Sequence, residues 1–354
     1  MNKNNFKNEF LNCPLPINTH KTIQLSHGSG GKLTQELISK IFVPVFNNEF
    51  LNKQDDQAVL NINNQKLAFT TDSFVVDPIF FPGGDIGDLA VNGTINDICT
   101  CGAKPLFLSV GMILEEGFPI EDLNKITISM QKAAIKANVQ IVTGDTKVVD
   151  KGKGDKIFIN TSGIGIIEND YDISSRNLQD GDKIIINGTI ADHGITILSQ
   201  REGLTFESDI ISDTASLNNL VESILECGGN SVHAMRDPSR GGVAATLNEF
   251  ASNSKTSITI DQSSLPVNPA VIGAAELLGI DPLYIANEGK IVIAVASDKA
   301  DKILEVMKKH PDGKNAAIIG SVNKKKAGLV TVKTLLGSER ILDMPVGEQL
   351  PRIC

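Results

Sequence analysis

Carboxylates and glycines recur together along the chain in short turns. They are HGSGG (27–31), QDDQAV (54–59), TTDS (70–73), FPGGDIGD (81–88), TIND (94–97), GDTK (144–147) and RDPSRGG (236–242). Aspartates gathered from such turns offer hard oxygen ligands, which suit Mg²⁺ ions bridging the phosphates of a nucleotide. A glycine-rich segment such as HGSGG brings backbone N–H groups close to phosphate oxygens. Asp and Gly are also the usual turn formers, so a single motif reads first as a turn. Their number, and their position beside apolar strands, favours a site. No segment fits G-x-x-x-x-G-K-[ST]; SHGSGGKL lacks the first glycine and the closing Ser/Thr, which excludes a P-loop. A second chemistry stands at the chain's end, LPRIC, where Cys354 is the last residue. A terminal residue packs poorly and an exposed thiol invites oxidation, so Cys354 is either incidental or a thiol carried on a swinging arm.

Composition narrows the classes. The 354 residues suit two domains, and 41% hydrophobic with 21% charged residues is ordinary for a soluble globular protein. A net charge of −9, 5% aromatics and no Trp argue against a nucleic-acid platform. No apolar run approaches membrane-spanning length, and the Asn-rich start lacks the apolar stretch of a signal peptide; a cytoplasmic protein is expected. Five cysteines at irregular spacing argue against a disulfide framework, and Cys99 and Cys101 read as small core residues.

These chemical groups need elements to carry them. KLAFTTDSFVV and DKIFINTSGIGII are β-rich, whereas DIGDLAVNGTINDICTCGA and IEDLNKITISMQKAAIKANV have helical spacing. After the polar stretch ENDYDISSRNLQDGD the pattern repeats. DKIIINGTI and GKIVIAVA read as strands, and DPSRGGVAATLNEFASNS and NPAVIGAAELLGI as helices. The organisation expected is a leader (1–21), an N-terminal α+β domain (22–168), a C-terminal α+β domain (169–342) and a mobile tail (343–354). From Asp343 an extended tail spans about 40 Å at ~3.3 Å per residue, enough to enter a cleft or meet a second protein.

HGSGGK, TTDSFVVDPIFFPGGDIGDLAVNGTIND, GMILEEG, VTGDTKVVDKG, MRDPSRGGVAATLNE, LGIDPLYIANEGK and the terminal LDMPVGEQLPRIC resemble the HypE family of hydrogenase maturation factors. The resemblance runs from about Gln24 to Cys354, and the closing P-R-I-C is specific to that family. Its superfamily includes aminoimidazole ribonucleotide synthetase, selenophosphate synthetase and thiamine-monophosphate kinase. The resemblance implies a two-domain aminoimidazole-ribonucleotide-synthetase-like α+β fold and a homodimer whose N-terminal domains pair into a β-barrel. Nucleotide sites would lie between the N- and C-terminal domains. It further implies that a carbamoyltransferase, HypF, loads a carboxamide onto Cys354. ATP with Mg²⁺ would then drive its dehydration to a thiocyanate, and the cyanide would pass to iron on a HypC–HypD complex.

The resemblance also implies the site. Asp56, Asp72, Asp97 and Asp145, with Asp237, are its metal ligands. His27, Gly28, Gly30, Gly31, Asp72, Asn96, Asp97, Gly144, Asp145 and Thr146 touch the nucleotide. Cys354, Lys147 and Glu288 carry the chemistry. Read from the residues alone, Lys147 is first a phosphate clamp and Glu288 a helix-cap or turn carboxylate, while His27 and His193 are each equally a ligand-touching or a buried core histidine. Arg352 is either a surface ion-pair residue or a cation that offsets the terminal carboxylate beside the thiol. Two rival readings treat Cys354 as incidental: a kinase or synthetase acting on a free small molecule, and a thiol-bearing scaffold that hydrolyses no nucleotide.

Overall fold

The computed structural model describes residues 22–203, 210–346 and 352–354, so the leader expected at 1–21 lies outside the described residues. The first domain runs α1 (Lys32–Leu37), α2 (Val43–Phe46), β1 (Ala58–Ile62), β2 (Gln65–Phe74), β3 (Phe80–Phe81) and β4 (Gly84–Asp85). It continues with α3 (Ile86–Cys99), β5 (Lys104–Glu115), α4 (Ile120–Lys136), β6 (Gln140–Val149) and β7 (Ile157–Ile167). Its five-stranded sheet has the order β1-β2-β7-β5-β6, with β5 and β6 parallel and the other pairs antiparallel. Period-two alternation sorts the two faces. Ala68, Thr70, Phe74, Ile157, Ile159 and Thr161 turn inward against α3, while Phe69, Thr71, Ser73, Asn160 and Ile164 face outward. Gly163 and Gly165 let α3 lie close, because a Cβ on either would stand 2.5 or 2.4 Å from the Ile98 side chain. Asp85 caps α3 by accepting from the Gly87 and Asp88 N–H groups.

The second domain follows with β8 (Lys183–Ile186), α5 (Asp192–Glu202), α6 (Asn218–Gly228), β9 (Val232–Arg236), α7 (Gly242–Ser254) and β10 (Ser257–Asp261). It closes with α8 (Pro269–Leu278), β11 (Val292–Val295), α9 (Ser297–Lys309), β12 (Ala317–Asn323), β13 (Val330–Lys333) and β14 (Glu339–Ile341). The sheet order is β14-β13-β10-β12-β8-β11-β9, with only β10 and β13 parallel. Its central strands are covered on both faces, which explains the uninterrupted apolar runs III and VIAV. Ile184, Ile186, Val292 and Ala294 pack with α7, whereas Ile185, Ile293 and Val295 join the core that holds α6 and α9. That second core is continuous with α3 and α4 of the first domain. Two α+β domains are therefore present, packed through one shared apolar layer. The polar stretch at 168–182 packs on the second domain: Ser174 N–H donates to the His233 carbonyl, and Leu178 is buried there. Among the described residues no helix is long and apolar enough to cross a membrane.

Candidate active site

Four aspartates meet where the domains face each other. Asp56 precedes β1, Asp72 lies on the inner side of β2, Asp97 on α3 and Asp237 just after β9. The Thr70 hydroxyl sits between the Asp56 carbonyl (2.8 Å) and Asp97 Oδ2 (3.0 Å). Burial, then the charges of Asp237, Asp56 and Asp72, pushes the Asp97 carboxyl well above the usual carboxylate range. Burial likewise pushes Asp56 up to about 8, and raises Asp72 and Asp237. Two arginines offset part of this. Arg236 lies 2.7 Å from Asp56 Oδ1 and 2.9 Å from Glu249 Oε2, and Arg240 stands 3.9 Å from Asp72. Asp55, the neighbour most easily confused with Asp56, faces Arg176 instead, at 3.8 Å.

Among the described residues no three such side chains converge tightly enough to hold an ion unaided. Mg²⁺ usually keeps several waters and takes one or two carboxylates plus substrate phosphates, so a closed protein cage is not required. Desolvated, mutually repelling carboxylates are the donor set that fits it, and Asp56, Asp72, Asp97 and Asp237 would hold it. Asp97→Asn removes one charge with little change in size. We expect Mg²⁺-ATP affinity to fall at least ~10-fold by calorimetry, the scale of a lost charged contact of about 1.5–3 kcal/mol. The ligand-free protein should be no less stable to heat, because a buried repulsion disappears.

The glycine-rich segment packs on this cleft. Arg240 donates to the Gly28 carbonyl at 3.1 Å, and a Cβ on Gly30 would strike Arg240 at 2.7 Å. Gly31 admits the chain near the tail, where a Cβ would lie 2.4 Å from the Pro345 carbonyl oxygen. His27 is buried, and its Nδ1 lies 3.0 Å from the Gln24 backbone nitrogen within its own turn.

Glu288 lies on the turn ANEGK and is 5% exposed, with Oε1 buried and without a hydrogen-bond partner. Burial, then Asp237, Asp213 and Asp72, raises its carboxyl far above the ordinary range. The turn is fixed from several sides. Asp213 Oδ1 accepts the Glu288 N–H at 3.2 Å, and its other oxygen lies 2.8 Å from Lys290 Nζ. Asn187 donates to the Gly289 carbonyl at 3.1 Å. Asn96, expected at the nucleotide, is spent on this scaffold. Its amide donates to the carbonyls of Ala215 (3.0 Å) and Glu288 (3.1 Å) and accepts from the Leu217 N–H (2.8 Å). Burial explains these partners: a 2% exposed amide takes the backbone groups around it. Asn96→Ala would orphan backbone groups of both the 215–217 segment and the Glu288 turn. With three groups orphaned at about 1–3 kcal/mol each, a loss of about 3 kcal/mol or more follows, measurable by urea unfolding.

The chain's end returns to this cleft. The Val75 N–H donates to the Cys354 carbonyl at 3.0 Å, and the Asp77 N–H to the Arg352 carbonyl at 3.2 Å, so the last residues run antiparallel to Val75–Asp77. Ile353 is buried and Cys354 half-buried. Burial, then Glu288, raises the Cys354 thiol well above its ordinary value, while Arg240 opposes this. Arg352 does not face the thiol; it pairs with Asp155 and lies 3.9 Å from Asp77. Arg240, in the turn RDPSRGG, is the cation acting on Cys354.

Gly144, Asp145, Thr146 and Lys147 do not join the cluster within one chain. They lie on β6, the sheet edge, three strand spacings from β2, which is roughly 14 Å. Lys147 Nζ donates to both carboxylate oxygens of Asp145, at 2.7 and 2.5 Å, and both side chains are about two-thirds exposed.

Residues 54–167 match the N-terminal domain of the AIR synthase related protein family, and residues 179–333 its C-terminal domain. The chain is 48% identical over 332 residues to a carbamoyl dehydratase HypE of Bradyrhizobium diazoefficiens, covering 94% of this chain and 96% of that one. The chain belongs to the HypE family. A HypE–HypF complex superposes with a TM-score of 0.83 at 50% identity, over 87% of this chain and 99% of that one. A HypE solved with ATP gives a TM-score of 0.79 at 48% identity, over 94% of this chain and 100% of that one. The resemblance legible in the motifs and the expected two-domain fold are thus both confirmed.

Proposed function

We propose that this chain is an ATP-dependent carbamoyl dehydratase of hydrogenase maturation that acts on its own C-terminal cysteine in the cytoplasm. The observation that carries this reading is the seating of Cys354 at the acidic cleft, where the charge of Glu288 acts on its thiol. Loading comes first. The Cys354 thiolate attacks an activated carbamoyl carbon on a HypF-like partner, the leaving group stays with the partner, and an S-carboxamide results. Burial holds the seated thiol protonated, so loading belongs to an unseated tail.

Dehydration follows with the tail seated. Oxide is a poor leaving group, so the amide oxygen attacks the γ-phosphorus of ATP and ADP departs. The oxygen then leaves as phosphate while nitrogen gives up two protons, leaving S–C≡N with no change of oxidation state. Glu288 takes a proton, and the glycine-rich 27–31 segment meets phosphate. Mg²⁺ held by Asp56, Asp72, Asp97 and Asp237 would neutralise the triphosphate and relieve the repulsion that keeps Glu288 protonated. The thiocyanate then supplies cyanide to iron on a HypC–HypD-like acceptor.

A homodimer completes this reading. Phe69, Ile164 and Phe107 stand side by side across β2, β7 and β5 on the outer face and are 43%, 41% and 42% exposed. Such a row on a sheet with an open edge at β6 suits a second copy. Through that copy Asp145, Thr146 and Lys147 would reach a site they do not reach in their own chain. The experiment is an intact-mass time course with the carbamoyltransferase, its substrates and ATP. A carboxamide should appear on Cys354 and then lose the mass of one water. No adduct, or an adduct indifferent to ATP, would refute the proposal.

A further inference from the structure

The tail's end is gripped by side chains that play no part in the chemistry above. His193 is completely buried, with Nε2 2.9 Å from the Ile353 carbonyl oxygen and Nδ1 2.7 Å from Ser212 Oγ. A carbonyl only accepts, so Nε2 carries the proton, and in the neutral ring Nδ1 accepts from the Ser212 hydroxyl. Phe81 meets the ring edge-on at 5.5 Å and fixes its plane. Arg201, on α5, donates to the Asp77 carbonyl through Nε (3.1 Å) and Nη2 (2.5 Å), and to the Arg352 carbonyl at 2.9 Å. The Arg352 carbonyl thereby accepts from Arg201 and from the Asp77 N–H. The Arg352 side chain donates to the Val75 carbonyl at 3.1 Å and pairs with Asp155. Its φ of 55° is a left-handed conformation that a non-glycine residue holds only where its surroundings enforce it.

The charges acting on the Cys354 thiol are those of Glu288, Arg240, Asp72 and Asp237, none of which belongs to this grip. The grip sets register. A slip of one residue along Val75–Asp77 would shift the sulfur by roughly 3.3 Å and turn it to the other side. Misplacement of ~1 Å already costs about 10²-fold in a positioned reaction.

We propose that His193, Arg201 and Asp155 are positioning residues: they hold the tail in the one register that presents the group on Cys354 to Glu288, and they have no role in loading. This rests on the reading of Cys354 as the carrier. The test separates seating from chemistry in the full-length protein. Seating is read, without any partner, as the rate at which iodoacetamide alkylates Cys354, followed by mass mapping of the C-terminal peptide. Chemistry is read as single-turnover conversion of preloaded carboxamide with ATP. Asp155 is partly exposed, so Asp155→Ala should fold normally; alkylation should rise a few-fold, as for the loss of a surface ion pair. Arg201→Ala should raise it about ten-fold or more, the scale of lost charged hydrogen bonds. Both should load normally and dehydrate more slowly, Arg201→Ala by about 10²-fold. His193→Gln, which keeps an N–H for the Ile353 carbonyl, should retain most of what His193→Ala loses. Wild-type alkylation rates in both Asp155→Ala and Arg201→Ala would overturn the proposal, as would faster alkylation with unchanged dehydration. A wild-type protein that takes no carboxamide on Cys354 would overturn the carrier reading instead, and the alkylation rates would still decide whether the grip exists.

Discussion

Cys354→Ala should fold, bind Mg²⁺-ATP as the parent does, and carry no carboxamide after incubation with the carbamoyltransferase. The other described cysteines are poor substitutes. Cys99 and Cys101 are buried, and burial pushes Cys101 up to about 12 and raises Cys99 as well, so neither offers a thiolate. Cys227 is half-buried at the end of α6 and is packed against the core. The seated Cys354 thiol is also held protonated and packs beside the buried Ile353, but it sits at a chain end outside any helix or strand, whereas Cys227 is held within α6. Intact mass reads the result directly. Normal loading of the variant would remove Cys354 from the mechanism.

Glu288→Gln and Lys147→Met should each remain loadable while carboxamide persists in the presence of ATP. A positioned base contributes typically 10²–10⁴-fold, and Glu288 has the burial and the unpartnered oxygen that such a base requires. Gln keeps its shape, and the protonated carboxyl it replaces is already neutral, so the fold should tolerate it. In the proposed mechanism Lys147 would place an ammonium where negative charge grows on oxygen and phosphate. From β6 it would reach that place only from a second copy. Mixing the two variants should therefore restore one working site in each mixed dimer, with Glu288 from one chain and Lys147 from the other. Rapid thiocyanate formation by either variant alone would reduce that residue to a structural role. Failure of the mixture would place Lys147 outside the site.

The sequence carried the elements well because their signals are local. β2 and β7 alternate, α3 and α4 have helical spacing, and III and VIAV announce strands covered on both faces. Asp56, Asp72, Asp97 and Asp237 were legible as a set through motif resemblance, and the fold brings them together. Partners were not legible. Asn96 in TIND reads like a ligand residue, yet its three hydrogen bonds go to segments more than a hundred residues away. Arg201 and His193 carry no motif, and their partners lie about 150 residues further along the chain. Arg240 was visible in RDPSRGG, but nothing in a sequence distinguishes a cation over a thiol from one in solvent. Asp145 and Lys147 share one side of an extended segment, as period-two spacing dictates. Period-two spacing does not reveal that this segment is a sheet edge three strands from the other aspartates.

The central claim is that ATP removes the oxygen of a carboxamide carried by Cys354. It is tested most directly by loading Cys354 with a carbamoyl group labelled with oxygen-18 at its carbonyl and following one turnover with ATP. The account predicts that the label moves into inorganic phosphate as the C-terminal peptide becomes lighter by one labelled water. Unlabelled phosphate, or ATP consumed while the labelled carboxamide stays on Cys354, would contradict it.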